Sequence, residues 1–231
     1  MTGIHPIEAA SYRILAERVD LSAWPDGPRA VVARVVHATA DVEFATTMVV
    51  EEAAVAAGVA ALRAGAPVVT DVEMTRAALS GIAAACYLGE VSTEASGDTP
   101  GPPGASGDTP GPTEASGDTP GPPGPPGLTR TASAIRLAAG RHPEGALFVI
   151  GCAPTALFEL IRLAEAGRLS PALVVGLPVG FVGAASSKEA LRRSGLPAIS
   201  NTGEKGGSAA AGAAVNALWR LAQADWSPPA G

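Results

Sequence analysis

PALVVGLPVGFVGAASSKEAL, residues 171–191, decides the fold class, because its two halves call for different backbones. Leu173, Val174 and Val175 make a short apolar run closed by Gly176, the pattern of a strand buried on both faces. A glycine-rich turn then enters a helix-forming stretch that ends near Leu191. Strand, turn and helix together form one β-α unit.

The same alternation recurs along the chain. Strands are expected near 66–72, 83–89, 146–151, 172–176 and 197–200, each bounded by Gly, Pro or a helix start. Apolar residues make up 47% of the 231 residues and aromatics only 4%, so Ala, Val, Leu and Ile must build the core, as in helix-covered parallel sheets. Right-handed crossovers then give a three-layer α/β/α fold: a flavodoxin-like, five-stranded, mainly parallel sheet with N-terminal helices. In such sheets ligands bind beyond the carboxyl ends of the strands.

The N-terminal part reads as helices. Residues 5–18 place Ile7, Ile14 and Leu15 at helical spacing. In PDGPRAVVARVVHAT, adjacent valine pairs repeat after four residues (Val31 and Val32, Val35 and Val36), which is helical rather than strand periodicity, with Asp26 as the expected cap and Pro28 in the first turn. His37 therefore ends a helix, and Arg34, three residues earlier, shares its face. A third helix is expected over 46–64, stopping at Gly65.

One segment breaks the pattern. In 92–127 the unit ASGDTPGP recurs at Ala95, Ala105 and Ala115; the segment holds 10 of the 21 prolines and no Val, Ile, Leu, Met or aromatic residue. It cannot offset its ordering entropy by burying surface, so it is expected to be a disordered low-complexity insertion in a single domain formed by 1–91 and 128–231.

Charge and cysteine usage narrow the function classes. Five acids of the net −6 lie in that insertion, leaving the rest nearly neutral, and no basic stripe marks a nucleic-acid partner. No run reaches the ~18 uncharged apolar residues of a membrane span, and the N-terminus lacks the basic-then-apolar pattern of a secretory leader, so no membrane is expected and the cytoplasm is the expected location. Cys86 and Cys152 lack metal-ligand spacing and read as reduced, buried thiols; no metal is expected.

Several groups could carry chemistry. The turns GLPVGFVGAASSKEAL and SNTGEKGGSAAAGAAVNAL expose backbone N–H groups at helix starts, which suits carboxylate or phosphate, although neither fits a nucleotide fingerprint. Asp71 and Glu73 follow the first strand and stand equally for a site or a helix cap. Asp41 and Glu43 read as solvated or capping acids, His5 and His142 as structural or solvated histidines. His37 stands apart because Arg34 shares its face and acids follow it, neighbours that shift an imidazole in opposite directions.

Seven stretches in order, HPIEAASYRIL, RVVHATADVEFA, GAPVVTDVEM, LTRTASA, APTALFELIRL, PALVVGLPVGFVGAASSKEAL and SNTGEKGGSAAAGAAVNAL, resemble the precorrin-8X methylmutases of cobalamin biosynthesis. The match covers essentially everything outside the insertion. Ser186 stands where that family usually has Glu. The resemblance implies a homodimer with its site near the subunit interface, and an isomerisation that moves a methyl group on ring C of a contracted tetrapyrrole. The product would be hydrogenobyrinic acid, or cobyrinic acid from the cobalt substrate, and the resemblance implies that no cofactor is needed. It implies His37 as the catalytic proton donor, Ser11 and Arg34 as substrate-binding residues, Arg130 as the arginine of the Thr-Arg motif, and Lys205, Gly206 and Gly207 as further contacts for carboxylates. The competing expectation is a non-catalytic flavodoxin-like module that binds a corrinoid or another polyanion and hands it on, which would need the arginines but not His37.

Overall fold

A computed structural model describes residues 5–91 and 128–224; the segment expected to be disordered lies outside them. In chain order the elements are α1 (Pro6–Arg18), α2 (Asp26–Thr39), α3 (Phe44–Thr47), β1 (Met48–Val50), α4 (Glu52–Arg63), β2 (Val68–Thr70), α5 (Glu73–Ala77) and β3 (Ala84–Cys86). A 3-10 turn (Leu88–Glu90) follows, then α6 (Arg130–Arg141), β4 (Leu147–Ile150), α7 (Pro154–Glu165), β5 (Leu173–Gly176), α8 (Ala184–Arg193), β6 (Ala198–Asn201) and α9 (Ser208–Gln223).

The sheet order is β1-β6-β5-β4-β2-β3. Strands β2 to β6 are parallel where they pair and follow the flavodoxin-like order, as expected from the alternating pattern. The apolar runs of β2, β4 and β5 and most of β6 are buried on both faces, between one core that includes the α2, α4 and α9 side chains and another that includes those of α6 and α7, while the edge strand β3 is half-buried. Valines 31, 32, 35 and 36 all point into the first core.

Two local expectations are corrected. Residues 46–64 are not one helix: Met48–Val50 forms a sixth strand, antiparallel to β6, and α4 begins only at Glu52. Three residues are too few to display a period of two, and this strand owes its conformation to the edge of β6 rather than to its own pattern. Asp26 is not the cap of α2. The cap position is Pro25, and the Asp26 carboxylate instead pairs with Arg29 one turn on.

The crevice where a flavodoxin-like sheet would seat an anion, between the carboxyl ends of β2 and β4, is closed from within. Asp71 is fully buried there. Its Oδ1 accepts from the N–H of Val72 (2.9 Å), the N–H of Gly151 (3.2 Å) and the Thr75 hydroxyl (2.9 Å), while Oδ2 accepts from the N–H groups of Cys152 (2.7 Å) and Ala153 (2.9 Å). The turn that leads into α7 thus has its backbone donors, up to the cap residue Ala153, satisfied by the protein's own carboxylate. Of the two readings open for Asp71 in sequence, the structural one is observed.

Candidate active site

The cavity containing His37 lies on the flank of the sheet, walled by α1 and α2. It is an open cleft of about 390 Å³ lined by His5, Ile7, Glu8, Ser11, Arg34 and His37. Each helix contributes through its spacing: Arg34 and His37 are one turn apart on α2, and Glu8, Ser11 and Tyr12 are at i, i+3 and i+4 on α1. His5 caps α1, its Nδ1 accepting from the N–H of Ile7 at 3.3 Å.

The His37 ring is held on two sides. Ser11 Oγ lies 2.9 Å from Nδ1, and the Tyr12 ring stacks on the imidazole with centroids 4.7 Å apart and planes inclined by 11°. Nδ1 is therefore engaged by Ser11, which with the Tyr12 ring fixes the orientation of the imidazole. Partial burial lowers the imidazole pKa below its ordinary 6.5; the Arg34 charge lowers it further, Glu8 opposes this, and Arg220 adds a smaller push downward. Arg34 Nη1 donates to Glu8 Oε1 at 2.9 Å, and the same oxygen accepts from Arg220 Nη1 at 2.8 Å. This arrangement can hold a carboxylate beside a ring poised to exchange a proton.

Ser11, Arg34 and His37 thus meet in one place, whereas Arg130, Lys205, Gly206 and Gly207 do not line this cleft. Arg130 opens α6, on the opposite face of the sheet from α2, and its Nη2 donates to the Leu88 carbonyl at 3.1 Å. Its cap Thr129 shares hydrogen bonds with Thr131 (3.1 Å) and Thr155 (2.8 Å). Lys205 is already paired: its ammonium lies 2.7 Å from both Asp41 and Glu43, just beyond the end of α2. Those two acids are therefore ion-paired rather than merely solvated.

The glycine-rich loop is fixed by its own backbone. Gly207 N–H donates to the Leu177 carbonyl at 2.8 Å and Gly180 N–H to the Glu204 carbonyl at 3.1 Å. Beneath it, the fully buried Lys188 donates to Lys205 O (2.6 Å) and Asn201 Oδ1 (2.9 Å), and burial pushes its ammonium down to about 8. A Cβ on Gly206 would run into the carbonyl oxygens of Leu177 and Pro178, which are backbone and cannot rotate away. Gly206→Ala is accordingly expected to cost about 1–3 kcal/mol in urea unfolding, by overpacking the contact between the two loops.

The remaining expectations resolve simply. His142 bonds to the Tyr87 hydroxyl at 2.6 Å, a structural role. Cys86 and Cys152 are free but only half-buried, and burial raises both thiols. Ser186 donates to the Gly183 carbonyl at 3.3 Å. No group of metal-ligating side chains occurs among the described residues, and none of the described helices is long and apolar enough to cross a membrane. Glu8, Tyr12 and Arg220 were missed in sequence; the i, i+3, i+4 spacing of Glu8, Ser11 and Tyr12 was the available signal.

A flavodoxin-like sheet with its anion crevice filled, and a helix-borne imidazole between serine, tyrosine and arginine, define the class: an α/β protein with a candidate acid–base site on the flank of its sheet. The precorrin-8X methylmutase profile matches residues 6–99 and 123–221. The cobalt-precorrin-8 methylmutase of Priestia megaterium is 36% identical over 216 residues, covering 94% of this chain and 87% of that protein. The precorrin-8X methylmutase of Pseudomonas aeruginosa is 36% identical over 217 residues, covering 90% and 91%. Among solved structures, the precorrin-8X methyl mutase of Thermus thermophilus superposes with a TM-score of 0.73 at 30% identity, covering 95% of this chain and 98% of that one. The chain belongs to the precorrin-8X methylmutase family, and it is an isomerase of cobalamin biosynthesis that transfers a methyl group within one molecule.

Proposed function

We propose that this enzyme converts precorrin-8X to hydrogenobyrinic acid, or cobalt-precorrin-8 to cobyrinic acid, and that His37 gives the proton that sets up the methyl shift on ring C. The observation that carries this reading is the convergence of Ser11, Arg34 and His37 in one cleft. Protonating the conjugated macrocycle favours the tautomer in which the methyl group can migrate to the neighbouring carbon. The proton is returned when conjugation is restored, so the step balances without a redox partner. Ser11 and Tyr12 orient the ring, and Arg34 holds a substrate carboxylate through charge-assisted hydrogen bonds.

Residues 1–91 and 128–231 then serve as one methylmutase domain. In this reading Arg130, on the opposite face of the sheet, grips a carboxylate of substrate bound in a second copy's cleft, and the site adjoins a homodimer interface. The exposed Phe181 (91%) and Val182 (86%) favour such self-association. Lys205 ties the glycine-rich loop to the segment following α2, so that Gly206 and Gly207 shape the site by ordering it. Two free thiols fit a cytoplasmic location.

The test is direct. Purified protein incubated with precorrin-8X, or with its cobalt form, is expected to give the absorption spectrum of the product corrin. Binding without spectral change would instead favour the non-catalytic carrier.

A further inference from the structure

The cleft that holds His37 also holds a carboxylate, the wrong charge for a wall that faces an acid-fringed substrate. Glu8 Oε1 bridges two guanidinium groups, Arg34 from α2 and Arg220 from α9. Both arginines stand on elements fixed by the core: α2 buries four valines, and α9 buries most of its first eleven residues. Glu8 does not, for α1 has no buried residue at all. Arg34 Nε is buried without a hydrogen-bond partner among the described residues, so Glu8 leaves this guanidinium incompletely satisfied.

We propose that Glu8 is an internal stand-in for a substrate carboxylate, and that Arg220 is a second substrate-binding arginine. With Arg34 it forms a two-guanidinium clamp that a peripheral carboxylate of the corrinoid enters as Glu8 leaves. The idea rests on the cleft being the corrinoid site. Exchanging one carboxylate for another conserves the charge-assisted hydrogen bonds of both arginines, and displacing Glu8 exposes no buried side chain of α1. The stand-in also keeps the two cations apart from the imidazole's point of view: a negative charge stays beside His37 in both states. An empty clamp would leave Arg34 and Arg220 facing the ring uncompensated. Placing the arginines in advance lowers the ordering cost of binding.

The proposal separates from a plain docking role by sign. Hydrogenobyrinic acid is titrated, by its visible absorption, into wild type, Arg34→Met, Arg220→Met and Glu8→Gln at low salt. Arg34→Met and Arg220→Met are each expected to raise Kd about tenfold or more, the loss of one charge-assisted contact, whereas Glu8→Gln lowers Kd. In turnover, the Arg220→Met defect should fall on KM more than on kcat. If the bridge only docks α1, Glu8→Gln and Arg220→Met weaken binding alike, and the stand-in is refuted. If Arg34→Met weakens binding and Arg220→Met does not, the clamp fails while the site stands. If neither arginine matters, the assignment of the cleft itself fails. Arg220 is 51% exposed, so Arg220→Met is expected to melt with the wild type; Arg34 and Glu8 are only 18% and 20% exposed, so Arg34→Met and Glu8→Gln are titrated at a temperature where calorimetry shows each variant folded.

Discussion

His37→Ala should lower kcat by about two to four orders of magnitude, the usual worth of a positioned general acid, while hydrogenobyrinic acid still binds. The fold should survive, because the core contacts at this end of α2 belong to Val35 and Val36 and the half-buried imidazole faces the cleft. Binding should survive because Arg34 remains. The pH dependence follows from the depressed pKa. If imidazolium is the donor, kcat/KM of the wild type is highest at low pH and falls as pH rises through a value below 6.5. A bound polycarboxylate brings further acids beside the one that takes the place of Glu8, and these raise that pKa, so the limb in kcat should lie at higher pH than the limb in kcat/KM.

The same shift fixes a stability trend with the opposite sense. Folded protein binds fewer protons at His37 than unfolded chain does, so the contribution of this residue is complete above 6.5 and is lost as pH falls through the lowered value. His37→Gln should therefore lose less stability between pH 7 and pH 5 than wild type in denaturant titrations. Turnover that is unchanged in His37→Ala would remove the ring from the mechanism, whatever the binding data say.

Much of this was legible in the sequence, and the parts that were not share a cause. The valine pairs gave α2 and put Arg34 and His37 on one face because helical periodicity is a local property. Five strands were visible as short apolar runs: β2, β4, β5 and most of β6 are buried on both sides and need no alternation, and the half-buried β3 showed by its bounding Gly. The sixth was not, because β1 exists only by pairing with β6, some 150 residues away. Tyr12 against His37, Glu8 against Arg220 and Lys205 against Asp41 are likewise contacts across long stretches of chain. Ser11 came from the family resemblance; nothing in its neighbours says it meets an imidazole. Lys205 looked like a ligand for anions, and the anions it meets in this structure are the protein's own.

Asp71 is the other residue whose replacement should have a large effect, and here the effect is on stability. Its two carboxylate oxygens take five donors, among them the N–H groups of Gly151, Cys152 and Ala153 that lead into α7. Asparagine has nearly the same shape but presents an NH₂ group in place of one oxygen. Whichever way the amide turns, that group faces two backbone N–H donors: Val72 and Gly151 in one orientation, Cys152 and Ala153 in the other. Thr75 can rotate its hydroxyl; the backbone donors cannot. Two buried donors left facing a third, at about 1–3 kcal/mol each, put the cost of Asp71→Asn near 3 kcal/mol or above, roughly a 6–12 °C fall in melting temperature for a chain of this size. Hydrogen exchange should quicken first at residues 151–153. The loosened turn is followed by Thr155, which meets Thr129 at the cap of α6 beside Arg130. If Arg130 grips substrate, Asp71→Asn should therefore raise KM at temperatures where the variant is still folded, and KM equal to wild type would confine Asp71 to stability alone.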